Sequence, residues 1–337
     1  MTPALLFRAS PSVPHTEIVI MQLDMQYVYE IYKQGSFSKA AEKLFISQPA
    51  LSMAVQKVEK SIGMPLFNRS TRPISLTDAG EIYIRAIEKQ RFLEQDTALQ
   101  LEDIRALKTG HITIAGTHYL NAYILSDIIT GFHQEFPYIT IDLVENASAK
   151  NLELLQKQDI DMTFSCDPEV LPYYSGYPAF SDEIMLAVPA SASVNADVRN
   201  YALSAEDIIQ RKNLKEDCPV ISLDRFKNED FILLKEENNL YLRSMALCHE
   251  YAFEPKVILK LAQLVTAYHL AERGFAASFI SDLVVKNPDA ALCFYKIDSI
   301  HTFRRFYLLI PKQRYISNAV QAFIEYMQDY FAVRQTR

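Results

Sequence analysis

Gln48, Ser52 and Gln56 lie four residues apart, so on an α-helix they share one face. All three are polar and uncharged, and each offers donors and acceptors together. Such a face fits base-pair edges in the major groove, where glutamine can pair with adenine and serine with several bases. Arg69 and Arg72 follow in "NRSTRP" and suit phosphates or a narrow minor groove. Residues for covalent chemistry are sparser. His118, Cys166, His249 and His269 are scattered, and no GxSxG, HExxH, P-loop or GxGxxG pattern accompanies them. Cys166, Cys218, Cys248 and Cys293 form no CxxC or Cys/His cluster. Free thiols in a reducing cytosol are expected, with no metal and no cofactor. A redox role for Cys166 would need a stabilised thiolate, and no second cysteine is near it in sequence.

The elements that would position the polar face are readable nearby. Ser36 or Ser38 can cap a helix over "KAAEKL", and Ala40 and Ala41 leave room for a close neighbour. After the short break "FIS", Ser47 offers a second cap and Pro49 suits a first helical turn. Leu51, Val55, Val58 and Ile62 form one apolar stripe, and Gly63 ends the helix. In "MPLFNRSTRPISLT", Leu66 and Phe67 anchor a small wing that carries Arg69 and Arg72. The pair of helices reads as a helix-turn-helix. On these features alone, a helical hairpin with a solvated polar face fits equally well.

The run "GSFSKAAEKLFISQPALSMAVQKVEKSIGMPLFNRSTRPISLTDAG" resembles the N-terminal domain of LysR-type transcriptional regulators. The elements "GSF", "AA", "SQPALS", "VE", "LF", "R" and "LT..G" come in family order and spacing from Met21 to Gly80. The resemblance implies that Gln48, Pro49 and Ser52 belong to the base-reading face and Arg72 to the wing. Ser36, Ser38, Gln56 and Arg69 are further DNA-binding candidates beside them. Met53 departs from the family, which often has a basic residue after the "ALS" serine.

From Thr77 to Lys108 there is no proline and one glycine, and Ile82, Ala86, Leu93, Leu101 and Ile104 recur in helical phase. A helix of that length reaches about 48 Å and is expected to cover its stripe with a second copy. The resemblance implies the same, because the family dimerises through this linker. Two heads one DNA turn apart would read an inverted repeat, in a homodimer or homotetramer. The alternative is a lone helix packed on its own C-terminal domain.

From Gly110 onward, strand-like and helix-like stretches alternate, which argues for parallel α/β sheets. "HITIA", "ITIDLV", "DMTFS" and "EIMLAV" read as strands, as do "FILL", "KVILK", "FAASFI" and "FYLLI". The part from "GHITIAGTHYL" to "DIDMTF" resembles the LysR effector-binding domain, with its periplasmic-binding-protein-like fold of two subdomains. Residues 190–222 are longer than usual there. Ligands of such sheets sit beyond the carboxyl ends of strands. Those ends are Thr117, His118 and Tyr119, then Asn146, Ala147 and Ser148, then Ser165 and Cys166. The second subdomain adds Asn238, Gln263 and Phe279. Taken singly, these residues are as well explained as helix caps. Few lysines or arginines are among them, so a small carboxylate or aromatic acid is expected as effector.

The expected architecture is a winged helix-turn-helix (21–79), a linker helix (80–109) and an effector domain (110–337). Within the last, 110–187 with 295–337 and 188–294 form the subdomains. Residues 1–20 make a poor signal peptide and read as a tail or an early start codon. No apolar run reaches about 18 residues, so no membrane span is expected. The formal net charge is −7 over 337 residues. Met21–Ser75 nevertheless carries seven basic and four acidic residues, against 21 and 29 from Gly110 to Arg337. A basic head on an acidic body can still bind DNA, because phosphate contacts act within about 10 Å. The rival is a solute-binding or catalytic α/β protein whose N-terminal helices serve assembly. A further rival keeps DNA binding but makes the C-terminal domain a ligand-free platform.

Overall fold

A computed structural model describes residues 23–105, 110–252 and 254–335. The chain divides into two compact units, Met1–Arg105 and Ala106–Arg337. The expectations for residues 1–20 and for 106–109 lie outside the described residues.

The first unit packs three helices, a hairpin and a long helix: α1 (Leu23–Gln34), α2 (Phe37–Lys43), α3 (Gln48–Ile62), β1 (Phe67–Asn68), β2 (Ser75–Leu76) and α4 (Asp78–Arg105). Local chemistry sets the boundaries. The Ser36 hydroxyl accepts from the Lys39 N–H at 3.4 Å, so Ser36 is the cap of α2 and Ser38 lies inside that helix. Ser47 accepts from Ala50 N–H to start α3, and Gly63 stops it at φ 80°. That left-handed geometry suits glycine, which has no Cβ to crowd. Leu51, Val55 and Val58 are buried with Val28, Ile31, Ala40 and Leu66. The alanines at 40 and 41 are the close contact of α2 with this core. Helix α4 starts beside Thr77, whose hydroxyl accepts from Gly80 N–H at 3.0 Å and donates to the Pro65 carbonyl at 2.6 Å. Ile84 and Ile87 of α4 enter the same core, whereas Ile82, Leu93 and Ile104 are more than 60% exposed.

The second unit alternates strands and helices. Its first part runs β3 (Gly110–Gly116), α5 (His118–Leu120), a π-helical turn (Asn121–Leu125), α6 (Ser126–Glu135), β4 (Ile139–Glu145), α7 (Ser148–Gln156), β5 (Met162–Ser165) and β6 (Tyr174–Pro189). Then come α8 (Val194–Asp197), α9 (Ala205–Ile209), β7 (Val220–Ile221), β8 (Asp230–Leu234), α10 (Asn239–Glu250) and β9 (Lys256–Leu261). The chain closes with α11 (Leu264–Glu272), β10 (Ala277–Ser281), β11 (Leu292–Ile297), β12 (Phe303–Pro311) and α12 (Asn318–Gln335).

The sheet path is β4-β3-β5-β12-β6-β10-β8-β9, with β11 and β7 alongside. Pairs β3–β4, β3–β5, β8–β9 and β8–β10 are parallel, as alternation requires. The central strands are antiparallel: β6 pairs with β12, then with β10 and β11. A purely parallel sheet was therefore too simple an expectation. The 16-residue β6 pairs with β12 through Glu183 and with β10 from Ile184. One continuous strand thus runs through both halves of the sheet. The long stretch after Pro189 holds α8, α9, short 3-10 turns and β7.

Candidate functional site

The DNA-binding candidates all lie in the first unit, and Arg69 meets Ser52 of α3 there. Gln48, Pro49, Met53 and Gln56 of α3 are exposed, and Ser52 is half-buried beside them. The apolar stripe of α3 faces the core, which leaves this polar face outward. Arg69 and Arg72 lie in the segment joining β1 to β2. The two arginines are held differently. Arg69 donates to Glu59 at 3.0 Å and to the Ser52 hydroxyl at 3.4 Å, and it stands 5.0 Å from the Phe37 ring centroid. Glu59 also accepts from Leu66 N–H at 2.9 Å. Arg69 therefore braces the wing against α3, a role that spacing alone did not reveal. Arg72 is exposed and makes no ion pair among the described residues. Met53, 65% exposed, adds apolar surface to α3.

In the second unit a cavity of about 200 Å³ lies at the strand ends. The sheet brings Thr117, His118, Tyr119, Ser148, Ser165 and Cys166 to its wall. Asn238 and Gln263 come from the other half. Three sequence candidates do not line it. Phe279 is 2% exposed and stacks on Phe231 in the core, because every residue of β10 is buried. Asn146 and Ala147 sit in the loop before α7, where Asn146 N–H donates to the Gly116 carbonyl and the Asn146 carbonyl accepts from Asn151.

The cavity wall carries two acidic side chains, Asp167 and Glu237, and one cation, Arg304, together with helix starts. Helices α7, α10 and α11 all begin at it, with Ser148, Asn239 and Leu264 as first residues. Asn238 caps α10 by accepting from Leu240 N–H at 2.9 Å. Neither α7 nor α11 has a side-chain cap, so their first N–H groups are open to a ligand. The Nδ1 of His118 is buried without a partner among the described residues. The Cys166 thiol donates to Asn239 Oδ1 at 3.2 Å, and burial pushes its pKa up. That disfavours the thiolate a redox sensor needs.

Arg304 and Phe306 line the cavity too, and sequence reasoning missed both. Asp182 grips Arg304 through two hydrogen bonds, the Nε one at 2.8 Å. Asp182 also accepts from Ser281 at 2.6 Å and Tyr119 at 3.2 Å. Burial alone would lower the Arg304 pKa, but Asp182 beside it raises it instead. Burial lifts the Tyr119 hydroxyl well above the usual range. The guanidinium is thus already neutralised. Next to this network, burial raises the Asp282 carboxyl to about 6 and raises Glu183 as well. Among the described residues no group of three His, Cys, Asp or Glu side chains could hold a metal.

Comparison with known proteins places both parts in one family. Residues 23–81 match the model for the bacterial regulatory helix-turn-helix protein, lysR family, and 105–332 match the LysR substrate binding domain. The chain belongs to the LysR family of transcriptional regulators. An uncharacterised HTH-type transcriptional regulator, YcgK of Bacillus subtilis, is 28% identical over 93% of this chain and 94% of its own length. A probable RuBisCO transcriptional regulator of Cyanidioschyzon merolae is 26% identical over 90% and 97%. Among solved structures, full-length CbnR with its target DNA has a TM-score of 0.58 at 16% identity, covering 91% of this chain and 98% of its own. The effector binding domain of QuiR with shikimate has a TM-score of 0.52 at 17% identity, covering 66% and 97%. This LysR-type protein is therefore a DNA-binding transcriptional regulator with an effector-binding domain, not an enzyme. No helix among its described residues is long and apolar enough to cross a membrane.

Proposed function

We propose that this regulator reads an inverted-repeat operator through Gln48, Ser52 and Gln56, with Pro49 setting the start of the reading helix. Arg72 meets backbone or minor groove, Arg69 holds the wing, and Ser36 and Ser38 border the phosphates. The observation that carries this is the polar, outward face of α3 together with an exposed Arg72 that makes no ion pair among the described residues. Linker helix α4 pairs with a second copy through Ile82, Leu93 and Ile104, whose exposure a partner would cover. The working form is a cytosolic dimer or a dimer of dimers.

The effector is a small carboxylate in the cavity at Thr117, His118 and Ser148. The paired Arg304 leaves no free cation there, so open helix N–H groups and the unpartnered His118 Nδ1 favour the anion. The 200 Å³ volume suits a molecule of about ten heavy atoms. Binding changes the angle between the subdomains 110–187 with 295–337 and 188–294, and the linker (80–109) carries it to the heads (21–79). A ligand moves that equilibrium only if it binds the two states unequally.

The test is a thermal-shift screen of small organic acids on the full-length protein, repeated with Thr117→Val and Ser148→Ala. An acid at 100 times its Kd should add about 2.7 kcal/mol of stability. Both variants should lose that gain. Equal protection of the wild type and both variants would place the ligand elsewhere and end this reading.

A further inference from the structure

Two acidic side chains set the cavity at the strand ends apart from a plain anion site. Asp167 and Glu237 both line it, and Arg304 is the one lysine or arginine among its described lining residues. Asp182 already neutralises that guanidinium through two hydrogen bonds. Asp167 is half-buried and Glu237 exposed, and neither makes an ion pair among the described residues. Asp167 Oδ1 accepts from Glu169 N–H at 3.0 Å, which holds the loop after β5 and leaves the second oxygen its acceptor capacity. The two acids come from opposite halves of the unit: Asp167 follows β5, and Glu237 precedes α10. The Cys166 thiol meets Asn239 at 3.2 Å, which brings those two loops together.

Given that this cavity is the effector site, as proposed above, we infer that the effector is a zwitterion, an α-amino acid with an apolar side chain, whose ammonium lies between Asp167 and Glu237. A carboxylate alone would find the open N–H groups of α7 and α11 but would also enter the field of two like charges. An amine alone would satisfy the acids and leave those N–H groups unmatched. A molecule with both charges answers both sets of groups. Ammonium–carboxylate hydrogen bonds are charge-assisted, and half-buried Asp167 is less screened by solvent than a surface acid. Leu152, Phe164 and Leu234 offer an apolar side chain its surface. One acid from each half also favours a closed cleft, because the ammonium pairs with both carboxylates only when the two loops approach. That supplies the unequal affinity for two states that a regulatory ligand needs.

Calorimetric titration of the full-length protein tests this with matched pairs. L-leucine, L-methionine and L-phenylalanine are each compared with the acid that lacks the ammonium: 4-methylpentanoate, 4-(methylthio)butanoate and 3-phenylpropanoate. At least one amino acid should bind with a Kd lower than its deaminated counterpart by about tenfold or more. The Asp167→Asn/Glu237→Gln double variant should bring that ratio close to one. It should bind the deaminated acid no more weakly than the wild type does, which a merely damaged cavity would not. Deaminated acids that bind the wild type as tightly as the amino acids would overturn the zwitterion and leave the carboxylate reading standing. An amino-acid preference that persists in the double variant would overturn the role of the two acids. No binding of any of these compounds at millimolar concentration would also overturn the inference, and the carboxylate reading would then rest on the wider acid screen with Thr117→Val and Ser148→Ala.

Discussion

Replacing Arg304 by methionine should unfold this protein more readily than any surface change. Arg304 and Asp182 are 5% and 0% exposed in their side chains. Asp182 accepts two hydrogen bonds from the guanidinium and one each from Ser281 and Tyr119. Arg304→Met removes the countercharge and two of the four donors while leaving the carboxylate buried. Breaking a buried pair this way costs about 3–5 kcal/mol, chiefly as desolvation of the stranded charge. For a domain of this size each kcal/mol is worth roughly 2–4 °C, so the effector-domain transition should fall by roughly 6–20 °C. Differential scanning calorimetry of the full-length protein reads this directly. The partner change distinguishes a stranded charge from lost packing. Asp182→Leu together with Arg304→Met should recover most of the loss, because removing both charges also removes the desolvation penalty. A fall under about 2 °C in the single variant would refute this reasoning. So would a double variant as unstable as the sum of both singles.

Four other expectations are independent of that pair. Leu51→Ala, at 0% exposure in α3, should cost about 2–5 kcal/mol of head stability and abolish DNA binding at 37 °C, by urea titration and gel shift. Gly80→Ala would set its Cβ 2.0 Å from the Leu66 carbonyl oxygen, so it should destabilise the head although alanine favours helices. The Asp282 carboxyl, raised to about 6 by burial, holds its proton in the folded state above its ordinary 3.8. The stability it gives is complete below about 4 and is lost as pH rises through about 6; wild type minus Asp282→Asn should fall over that window, and a flat difference would contradict it. The Cys166 thiol, pushed up by burial, should react with Ellman's reagent more slowly in the folded protein than after partial unfolding, and peroxide should leave operator binding of the wild type as unchanged as that of Cys166→Ser.

What the sequence disclosed was chemistry that acts over a few residues. Ser47, Pro49 and Gly63 mark the ends of α3 because caps, a fixed φ and a left-handed glycine are local requirements. The stripe Leu51, Val55 and Val58 is equally local, since helical period alone puts it on one face. What escaped depends on contacts between distant residues. Arg304 meets Asp182 across 122 positions, and it precedes the apolar run "FYLLI" that marks its strand, so nothing local points its guanidinium to the cavity. The Arg69–Glu59 brace needed the fold of the wing over α3. Phe279 was misplaced because β10 is buried on both faces, and a strand without alternation gives no sign of which residue points to a cleft. The antiparallel pairing of β6 and β12 was hidden for a similar reason. Alternating elements imply parallel strands locally but say nothing of strands that return from far along the chain.

The most direct test of the account is selection of genomic fragments by the purified protein, with Gln48→Ala and Arg72→Ala, at two salt concentrations. The wild type should enrich an inverted repeat. Gln48→Ala should then relax base preference at one position per half-site, by about 1–3 kcal/mol of discrimination. Arg72→Ala should weaken binding to all sequences alike and lower the salt slope by about one. If both variants select the same repeat as the wild type with the same salt slope, the α3 face and wing are not the reading surface, and the account fails at its centre.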